Sequence, residues 1–368
     1  MRIRTITCHN VYNFGASLQA YALMKYLQNL GHQVEIIDYK PDYAKYNLWA
    51  IGEKYRRNLL VRCLYYLYVV PRRMNLKSRR QRFDLFTQNM LTLTLKRYQS
   101  FNELKNDPPE ADVFLAGSDQ IWNVLHDYGK DPAFYLDFVP MKSVRASYAA
   151  SFSISQIPVE YKDLIKSKLA KFDAISVREK SGLKILDDLK ITGGNVVMDP
   201  VFLLDRRSWE LLASSNETEK YILIYDQENN SLIKKSAIKL SKMMKLKIYA
   251  IESLYPMIYA EKKIKNIGPL EFLGLIKNCE ILLTNSFHGT AFGILFQKEF
   301  FTFKRIHEKV NSRMIDLLET LHLSDRLVDQ PIDNFNAKKI DYQYVSTLLS
   351  YEIQHSKEFI EHVLKIAK

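Results

Sequence analysis

The sequence TNSFHGTAFG runs from Thr284 to Gly293 and joins two apolar segments. The apolar run before it, Ile281–Leu283, predicts a buried strand, and the run that overlaps its end, Ala291–Phe296, predicts a helix. A turn from strand to helix offers free backbone N–H groups and the positive end of the helix dipole, and His288 adds a titratable imidazole. We interpret this turn as a binding site for an anionic group; the alternative is an ordinary loop with a surface histidine.

Length and composition predict a globular protein of two ordinary domains. The chain has 368 residues, of which 47% are hydrophobic, enough for a sizeable core. Cys8, Cys63 and Cys279 are far apart and form no metal-binding pattern, so we expect reduced thiols in a cytoplasmic protein and no structural zinc. We also expect neither a signal peptide nor a transmembrane helix, because no apolar run approaches the roughly 20 residues of a membrane span.

The net charge of +12 is concentrated in residues 54–82, which contain ten Lys and Arg and no Asp or Glu. Within them, Leu59–Val70 is apolar and rich in tyrosine, which is typical of an interfacial helix whose arginines reach phospholipid head groups. The alternative is a helical insertion that packs on the domain. The charge implies an anionic partner. Because no recognition motif accompanies it, we do not expect nucleic acid.

The N-terminal residues predict the opening unit of a doubly wound sheet. A strand at Arg2–Cys8 is followed by the polar loop His9–Ser17, a helix over Leu18–Leu30 and a strand at Val34–Asp38. This β–α–β order is that of Rossmann-like domains. The loop lacks the full G-x-G-x-x-G pattern, so we expect no dinucleotide site.

The same alternation extends along the chain and divides it into two α/β halves. Residues 40–110 interrupt the pattern as a basic, aromatic insertion, and the pattern begins again after Pro200. We therefore predict two Rossmann-like domains, at 1–200 and 201–368. The last helix, near 342–368, is expected to pack back on the first domain.

Three polar loops, at 13–19, 117–123 and 284–290, follow predicted strands. Ligand sites of open α/β sheets lie beyond the carboxyl ends of the strands, so we expect the loops to form one site. Asp119 is suited to act as a base or to hold a sugar hydroxyl, and Trp122 offers an apolar face to a sugar ring. The alternative for Asp119 is a structural cap.

Arg178 follows the predicted strand Ala174–Val177 and opens another helix with Glu179. An arginine at the end of a strand is suited to hold a carboxylate or a phosphate of a ligand. The alternative is a structural ion pair between Arg178 and Glu179. The sequence leaves both interpretations open.

Six short motifs occur in order at compatible spacing. They are NFGASLQAY at 13–21, GSDQIWN at 117–123, SYAAS at 147–151, ISVRE at 175–179, DP at 199–200 and NSFHGTA at 285–291. With this set, the chain resembles the polysaccharide pyruvyl transferase family from about residue 10 to about residue 320. The resemblance implies two α/β domains arranged as in GT-B glycosyltransferases. It also implies transfer of pyruvate from phosphoenolpyruvate to a sugar, commonly as a 4,6-ketal.

The resemblance implies roles for the residues of these motifs. His288 is expected to be the catalytic acid or the partner of the phosphate, and Asp119 the base on the acceptor side. The expected donor-side residues are Arg178, Asn285, Ser286, Phe287, Gly289 and Thr290, and the expected acceptor-side residues are Asn13, Phe14, Gly15, Ser17, Gln19, Ser118, Gln120 and Trp122. Some members carry an arginine where this chain has Ser286, so we expect Arg305 or Arg313 to supply that charge.

The resemblance also implies the partners of the protein. Phosphoenolpyruvate would be a co-substrate, and no metal or redox cofactor is expected. The acceptor would be a sugar of a cell-surface polysaccharide precursor, linked to polyprenyl pyrophosphate at the cytoplasmic face of the membrane, where residues 54–82 would dock. Two alternatives stay open: a nucleotide-sugar glycosyltransferase of the same architecture, and a non-catalytic sugar-binding protein of polysaccharide assembly.

Overall fold

Two parallel β-sheets with helices on their faces form the framework of the molecule. The computed structural model describes residues 1–44, 51, 58–252, 256–306, 311–330, 332 and 339–368. Each sheet is the centre of one α/β domain, as the alternation of strands and helices in the sequence predicts.

The sheet of the first domain has five parallel strands in the order β3-β2-β1-β4-β5. They are β1 (Arg2–Ile6), β2 (Gln33–Tyr39), β3 (Leu93–Tyr98), β4 (Val113–Ala116) and β5 (Val144–Ser147). The central strands β1 and β4 are neighbours in the sheet but not in the sequence, so the direction of winding reverses between them. In such sheets the ligand site lies beyond the carboxyl ends of these two strands.

A short pair of strands extends this sheet beyond β5. The pair consists of β6 (Ile175–Val177) and β7 (Gly194–Val196), which are parallel to each other. A backbone bridge joins Ala150, just after β5, to β6. Arg178 and Asp199 follow these two strands and therefore lie at the same edge of the sheet as the residues that follow β4.

The helices of the first half begin with α1, which starts earlier than predicted. They are α1 (Phe14–Asn29), α2 (Leu59–Asn75), α3 (Lys77–Met90), α4 (Phe101–Asn106), α5 (Val159–Leu169) and α6 (Lys180–Asp188). Asn13 caps α1, because its Oδ1 accepts a hydrogen bond from the N–H of Ala16 at 3.2 Å. The polar residues that predicted a loop are thus the cap and first turn of the helix.

The region 40–110 contributes more to the sheet than the sequence predicted. Its strand β3 pairs in parallel with β2, with Leu93 opposite Ile36. The exposed Lys96 and Arg97 made this strand hard to predict, but charged side chains are typical of an edge strand. The helices α2 and α3 lie outside the sheet.

The second domain contains a parallel sheet in the order β10-β9-β8-β11-β12-β13. Its strands are β8 (Tyr221–Tyr225), β9 (Lys247–Ile251), β10 (Lys262–Ile264), β11 (Ile281–Thr284), β12 (Glu299–Phe303) and β13 (Leu327–Val328). Its helices are α7 (Arg206–Leu212), α8 (Ser231–Met244), α9 (Pro269–Asn278), α10 (Phe287–Leu295) and α11 (Ser312–Thr320). The winding reverses between β8 and β11, so the sequence TNSFHG lies where a ligand site is expected.

The last helix, α12 (Tyr342–Ile366), contacts both domains. Near its start, the hydroxyl of Tyr342 donates a hydrogen bond to the carbonyl of Gly293 in the second domain at 3.4 Å. Just past its middle, Oγ of Ser356 accepts a hydrogen bond from the N–H of Met198 in the first half at 2.9 Å. A single helix therefore spans the two domains.

An aromatic cluster joins the two domains where α1 meets α9. The ring of Phe14 stacks on that of Phe272, with centroids 4.5 Å apart and an interplanar angle of 4°. On α3, the guanidinium of Arg79 lies 4.6 Å from the centroid of Phe14, at a distance typical of a cation–π contact. Phe14 is fully buried, so this cluster holds the start of α1 against the second domain.

Among the described residues, no helix combines the length and the hydrophobicity that a membrane span requires. The same residues contain no group of three or more His, Cys, Asp or Glu side chains placed to hold a metal ion. Cys8 and Cys279 are buried and Cys63 is exposed. Burial raises the pKa of the Cys279 thiol to about 12, so this thiol stays protonated at neutral pH.

Candidate active site

The sequence TNSFHGTAFG forms the end of β11 and the start of α10. Oγ1 of Thr284 accepts a hydrogen bond from the N–H of Ser286 at 3.1 Å, and Oγ of Ser286 caps the helix by accepting from the N–H of Gly289 at 3.4 Å. The helix starts at Phe287, earlier than predicted, because this cap extends it. His288 therefore lies in the first turn, where the backbone N–H groups and the helix dipole favour an anion.

His288 lies against the backbone of Gly15, at the start of α1 in the other domain. A Cβ atom placed on Gly15 would be 1.9 Å from Nδ1 and 2.2 Å from Cγ of His288. A residue with a side chain would therefore collide with the imidazole. Glycine at this position allows the first turns of two helices from different domains to meet.

Asp199 is buried beside His288 and contacts three polar side chains. Its Oδ2 lies 2.7 Å from Nη1 of Arg178, 3.2 Å from Oγ of Ser118 and 3.5 Å from Nε2 of His288. Burial alone would raise the pKa of Asp199, but the adjacent His288 and Arg178 hold it well below its usual range. The ionised carboxylate therefore links the arginine to the histidine.

Asp119 follows β4 and lies between two arginines. Its Oδ1 is 3.6 Å from Nη2 of Arg178 and 3.8 Å from Nη1 of Arg313. Its φ angle of 78° is in the left-handed region, which is unfavourable for a residue with a side chain and typical of functional sites. The Asp119 side chain is 17% exposed whereas that of Asp199 is 0% exposed, so Asp119 is the carboxylate that a ligand can reach.

Arg178 and Arg313 share the ring of Phe287. Their guanidinium carbons lie 4.7 Å and 5.8 Å from its centroid. Burial opposes the charge of Arg178, but three neighbouring carboxylates outweigh it and raise the pKa of Arg178. Burial, together with repulsion from Arg178, lowers the pKa of Arg313 to about 10. Both arginines are therefore cationic at neutral pH.

Several buried nitrogen atoms of this cluster have no hydrogen-bond partner within the described part of the chain. They are Nε and Nη2 of Arg178, Nε of Arg313 and Nε2 of His288. Buried polar groups without partners are unfavourable, and each one in a native structure calls for an explanation. Because these groups belong to two cations and an imidazole, the cluster is suited to an anionic ligand.

Two cavities meet at this cluster. The smaller cavity, of about 80 Å³, is lined by the start of α10 and by basic side chains of the second domain. The larger cavity, of about 340 Å³, lies along the first domain and extends to Tyr128. The residues that line both are Asn13, Asp119 and Gln120. Ligands in the two cavities would therefore be neighbours.

Most of the predicted donor-side residues line the smaller cavity. They are Asn285, Ser286, Phe287, Arg305 and Arg313, and the predicted catalytic residue His288 lines it as well. Arg178 lies one layer deeper, with 1% of its side chain exposed. Gly289 and Thr290 are buried in the helix, and the Thr290 hydroxyl is 2.8 Å from that of Thr302, so these two residues support the turn and do not border the cavity.

The two arginines predicted to supply the charge missing at Ser286 differ in their partners. Nε of Arg305 donates a hydrogen bond to Glu228 at 2.9 Å. Within the described part of the chain, the ion pair of Arg313 is with Asp119 at 3.8 Å. Its Nε has no hydrogen-bond partner among the same residues. Arg313 is therefore the better placed of the two to bind an anion.

The predicted acceptor-side residues divide into two groups. Asn13 and Gln120 line the cavities, whereas Phe14, Gly15, Ser17, Gln19, Ser118 and Trp122 are buried. Nε2 of Gln19 donates to Oγ1 of Thr7 at 2.9 Å, and this hydroxyl donates to the carbonyl of Ser118 at 2.8 Å. The buried network positions the turn that carries Asp119. The side chains of Phe14, Ser17, Gln19, Ser118 and Trp122 are therefore not exposed to either cavity.

Trp122 illustrates this correction. Its side chain is fully buried, its ring is stacked against that of Tyr135 with centroids 5.9 Å apart, and its Nε1 donates to the carbonyl of Phe134 at 3.0 Å. Both the apolar surface and the polar group of the indole are thus used inside the core. The interpretation of Trp122 as a surface for a sugar ring is therefore corrected.

The sequence interpretation missed Asp199 and Glu179 as members of the site. Asp199 is the main partner of Arg178, since Glu179 is 4.0 Å from the guanidinium and instead accepts hydrogen bonds from the hydroxyl of Ser151 and from nearby backbone N–H groups. The DP dipeptide at 199–200 was one of the six motifs, so its position in that set was the available signal. Its contact with His288 depends on how the domains meet.

Comparison with solved structures gives the class of the fold. A UDP-N-acetylglucosamine 2-epimerase from Rickettsia bellii matches with a TM-score of 0.50 and 11% identity over 100% of this chain and 95% of that chain. A Listeria monocytogenes protein described as the same kind of epimerase matches with a TM-score of 0.50 and 9% identity, over 100% and 90%. The spinosyn rhamnosyltransferase SpnG matches with a TM-score of 0.47 and 10% identity, over 99% and 100%. The chain has two Rossmann-like domains in a GT-B-like architecture, as predicted.

Sequence comparison identifies the family. The sequence model of the polysaccharide pyruvyl transferases matches residues 13–307, which include both helix starts and Arg178 but not Arg313. The chain therefore belongs to the polysaccharide pyruvyl transferase family, and the resemblance of its motifs is confirmed. Among curated proteins, no sequence matches it at a significant level.

Proposed function

We propose that this protein transfers pyruvate from phosphoenolpyruvate to a sugar of a cell-surface polysaccharide precursor and forms a 4,6-ketal. The observation that supports the donor is the cluster of Arg178, Arg313 and His288, in which four buried nitrogens have no hydrogen-bond partner among the described residues. Phosphoenolpyruvate carries a carboxylate and a phosphate, and both bind best to charged donors and helix N-termini. Membership of the family supports the class of reaction.

The proposed donor position is the smaller cavity. There, Arg313 and the N–H groups at the start of α10 bind the anionic groups of phosphoenolpyruvate. Arg313 replaces the arginine that some members carry at the position of Ser286. Arg178, one layer deeper and 2.7 Å from Asp199, keeps Phe287 and Asp119 in place.

The proposed reaction requires one acid and one base. The enol carbon C3 gains a proton, and the oxygen of a sugar hydroxyl bonds to C2 as its own proton leaves. The bond from C2 to the phosphate oxygen then breaks, and phosphate departs with the electron pair. The second hydroxyl adds to C2 and loses its proton. We assign His288 as the acid and Asp119 as the base that receives the hydroxyl proton.

The surroundings of these two residues support the assignment. The buried Asp199 carboxylate, 3.5 Å from Nε2 of His288, orients the imidazole and compensates a positive charge on it. Asp119 lies where the two cavities meet, so it is next to both substrates. Holding the two reactants together in this way accounts for much of the expected acceleration.

Phosphate release measured with phosphoenolpyruvate and a panel of hexose, N-acetylhexosamine and pyrophosphate-linked disaccharide acceptors tests the proposal. We expect acceptor-dependent release and a product with the mass of a pyruvate ketal. The variant His288→Ala should lose about 100-fold or more in kcat, with an unchanged circular dichroism spectrum, whereas the exposed His355→Ala should match the wild type. Binding of uridine diphosphate with no binding of phosphoenolpyruvate would instead support a nucleotide-sugar glycosyltransferase.

We further propose that α2 contacts the membrane that carries a polyprenyl-linked acceptor. Leu60, Leu64 and Leu67 are 71%, 58% and 74% exposed, and their spacing places them on one face of the helix. The ten basic residues of the segment 54–82 attract anionic lipid. Arg79 is not available for head groups because it lies over Phe14. Lys54, Arg56, Arg57 and the side chain of Arg72 lie outside the described residues.

Vesicle sedimentation tests this contact. The wild type should bind vesicles of phosphatidylglycerol and phosphatidylcholine, and the double variant Leu64→Glu, Leu67→Glu should not. Leu211→Glu, at a residue that is 79% exposed on α7, is the matched control. Equal binding of all three proteins, or equal binding to vesicles without anionic lipid, would exclude α2 as the electrostatic membrane contact.

A further inference from the structure

The larger cavity contains features that the proposed reaction has not yet used. Its volume of about 340 Å³ is within the range of about 300–1,000 Å³ that is typical of small-molecule sites. It shares Asp119 with the smaller cavity. We infer that this cavity binds an uncharged hexose ring of the acceptor against Tyr43 and Tyr128, and that it excludes acidic sugars. The identification of the bound sugar as the acceptor rests on the proposed pyruvyl transfer. The preference for an uncharged ring rests on the residues that line the cavity.

Two tyrosines give the cavity an aromatic lining. The rings of Tyr43 and Tyr128 meet edge to face with centroids 5.2 Å apart. The hydroxyl of Tyr43 donates a hydrogen bond of 2.5 Å to Oδ2 of Asp131, which also accepts one of 2.6 Å from Tyr39. This shared carboxylate fixes the Tyr43 ring. Aromatic rings are suited to the apolar face of a sugar, a role for which the buried Trp122 is not available.

The polar groups of the cavity favour a neutral ligand. The carboxylates of Asp119 and Asp127 line it, together with Gln120 and His126. Carboxylates accept hydrogen bonds from sugar hydroxyls and repel a uronate or a phosphate at close range. Among the described residues that line it, none is Lys or Arg. The cavity is therefore opposite in charge character to the smaller one.

This chemistry also fixes the orientation of the acceptor. The two hydroxyls that form a ketal must reach the same carbon of the donor, so their edge of the ring has to face Asp119 and the smaller cavity. The anomeric end then points away from the donor. A pyrophosphate attached there must lie outside the cavity, because the carboxylate of Asp127 would repel it inside.

Saturation-transfer NMR without phosphoenolpyruvate tests the binding directly. The probes are methyl β-glucopyranoside, methyl β-galactopyranoside and methyl β-glucuronide. We expect transfer to at least one of the neutral glycosides and none to the glucuronide. The variants Tyr43→Leu and Asp127→Lys should weaken binding of the neutral glycoside about tenfold or more. The exposed residues Tyr351 and Asp163 provide the controls Tyr351→Leu and Asp163→Lys.

Kinetics separate this inference from the proposed reaction. Tyr43→Leu should raise the acceptor KM about tenfold and leave the KM of phosphoenolpyruvate unchanged. Unchanged acceptor binding in both cavity variants, or equal binding of glucuronide and glucoside, would overturn the inference even if the wild type transfers pyruvate. Binding of the neutral glycoside that is lost in both variants would support the cavity even if no pyruvate is transferred, and the failure would then belong to the proposed reaction.

Discussion

The starts of α1 and α10 are built alike and used differently. Each follows a strand beside the reversal of winding in its sheet, and each has a polar side chain as cap, Asn13 in one and Ser286 in the other. Two residues beyond each cap, the first domain has Gly15 and the second has His288. Because Gly15 has no side chain, the imidazole of His288 from the other domain can occupy the space beside it.

The difference shows how two similar domains form one asymmetric site. The second domain brings the imidazole, Arg313 and the helix dipole, which suit an anion. The first domain brings Asp119 and the tyrosines, which suit a sugar. The two domains share the backbone arrangement, and the side chains of the two turns determine which ligand each domain suits.

The contact between the two helix starts gives the largest expected effect. Gly15→Ala would place a Cβ atom 1.9 Å from Nδ1 of His288, so the imidazole must move away from Asp199. We expect kcat to fall about 100-fold or more, as for loss of the histidine. Gly293→Ala is the control, because its Cβ would lie 3.3 Å from a flexible Leu282 side chain. Wild-type turnover of Gly15→Ala would show that the close contact is not needed.

The buried Asp199 connects Arg178 of the first domain to His288 of the second, and its replacement should lower the free energy of unfolding. Asp199→Asn removes the carboxylate charge that is 2.7 Å from Arg178 and 3.5 Å from His288, at an expected cost of about 3–5 kcal/mol. Because folding lowers the pKa of Asp199, its ionised carboxylate stabilises the fold fully above the unfolded pKa of about 3.9. This contribution is lost progressively as pH falls from there towards the lowered pKa of the folded state. Thermal unfolding should therefore separate variant and wild type at pH 7 and less so below pH 4. A constant difference across this range would contradict the electrostatic role.

The two arginines of the second domain should differ in donor binding. Arg313→Lys should raise the KM of phosphoenolpyruvate about tenfold or more, because hydrogen bonds between charged groups contribute about 1.5–3 kcal/mol. Arg305→Lys should have a smaller effect, because its guanidinium is hydrogen bonded to Glu228. Steady-state kinetics at saturating acceptor measures both. The opposite order would transfer the donor contact to Arg305.

The two helix caps give the smallest expected effects. Asn13→Ala and Ser286→Ala should each lower the free energy of unfolding by about 1 kcal/mol, since each removes one capping hydrogen bond. Asn13→Asp and Ser286→Thr preserve a capping oxygen and should be close to the wild type. Urea unfolding of the four variants provides the comparison. A loss well above that of a cap at either position would show a further structural role.

Much of the fold was predictable because its strands and helices have clear hydrophobic periods. The strands predicted at Val34–Asp38 and Ile281–Leu283 lie within the observed strands Gln33–Tyr39 and Ile281–Thr284. The starts of α1 and α10 were predicted too late, because capping residues and small residues are typical of loops as well. The edge strand β3 was missed because its exposed face is charged.

The candidate site was predictable in part. The position of His288 and Asp119 beyond the carboxyl ends of strands followed from the α/β pattern and the motifs, and Arg313 was one of two candidates for the charge missing at Ser286. The burial of Trp122 did not follow from the sequence. An indole near a polar turn suits either a ligand or the core, and only tertiary packing decides between them. The pairing of Asp199 with His288 joins residues from the two halves, which no local pattern encodes.

The helix α12 has a consequence for substrate binding and product release. Its first residue is attached to the second domain through the Tyr342 hydroxyl, and its middle is attached to the first half through Ser356. Separation of the two domains would have to bend this 25-residue helix or break one of these two hydrogen bonds. Ser356 contacts Met198, the residue before Asp199, so widening of the cleft is coupled to the segment that carries Asp199. Either step costs packing, and its speed would set an upper limit on turnover.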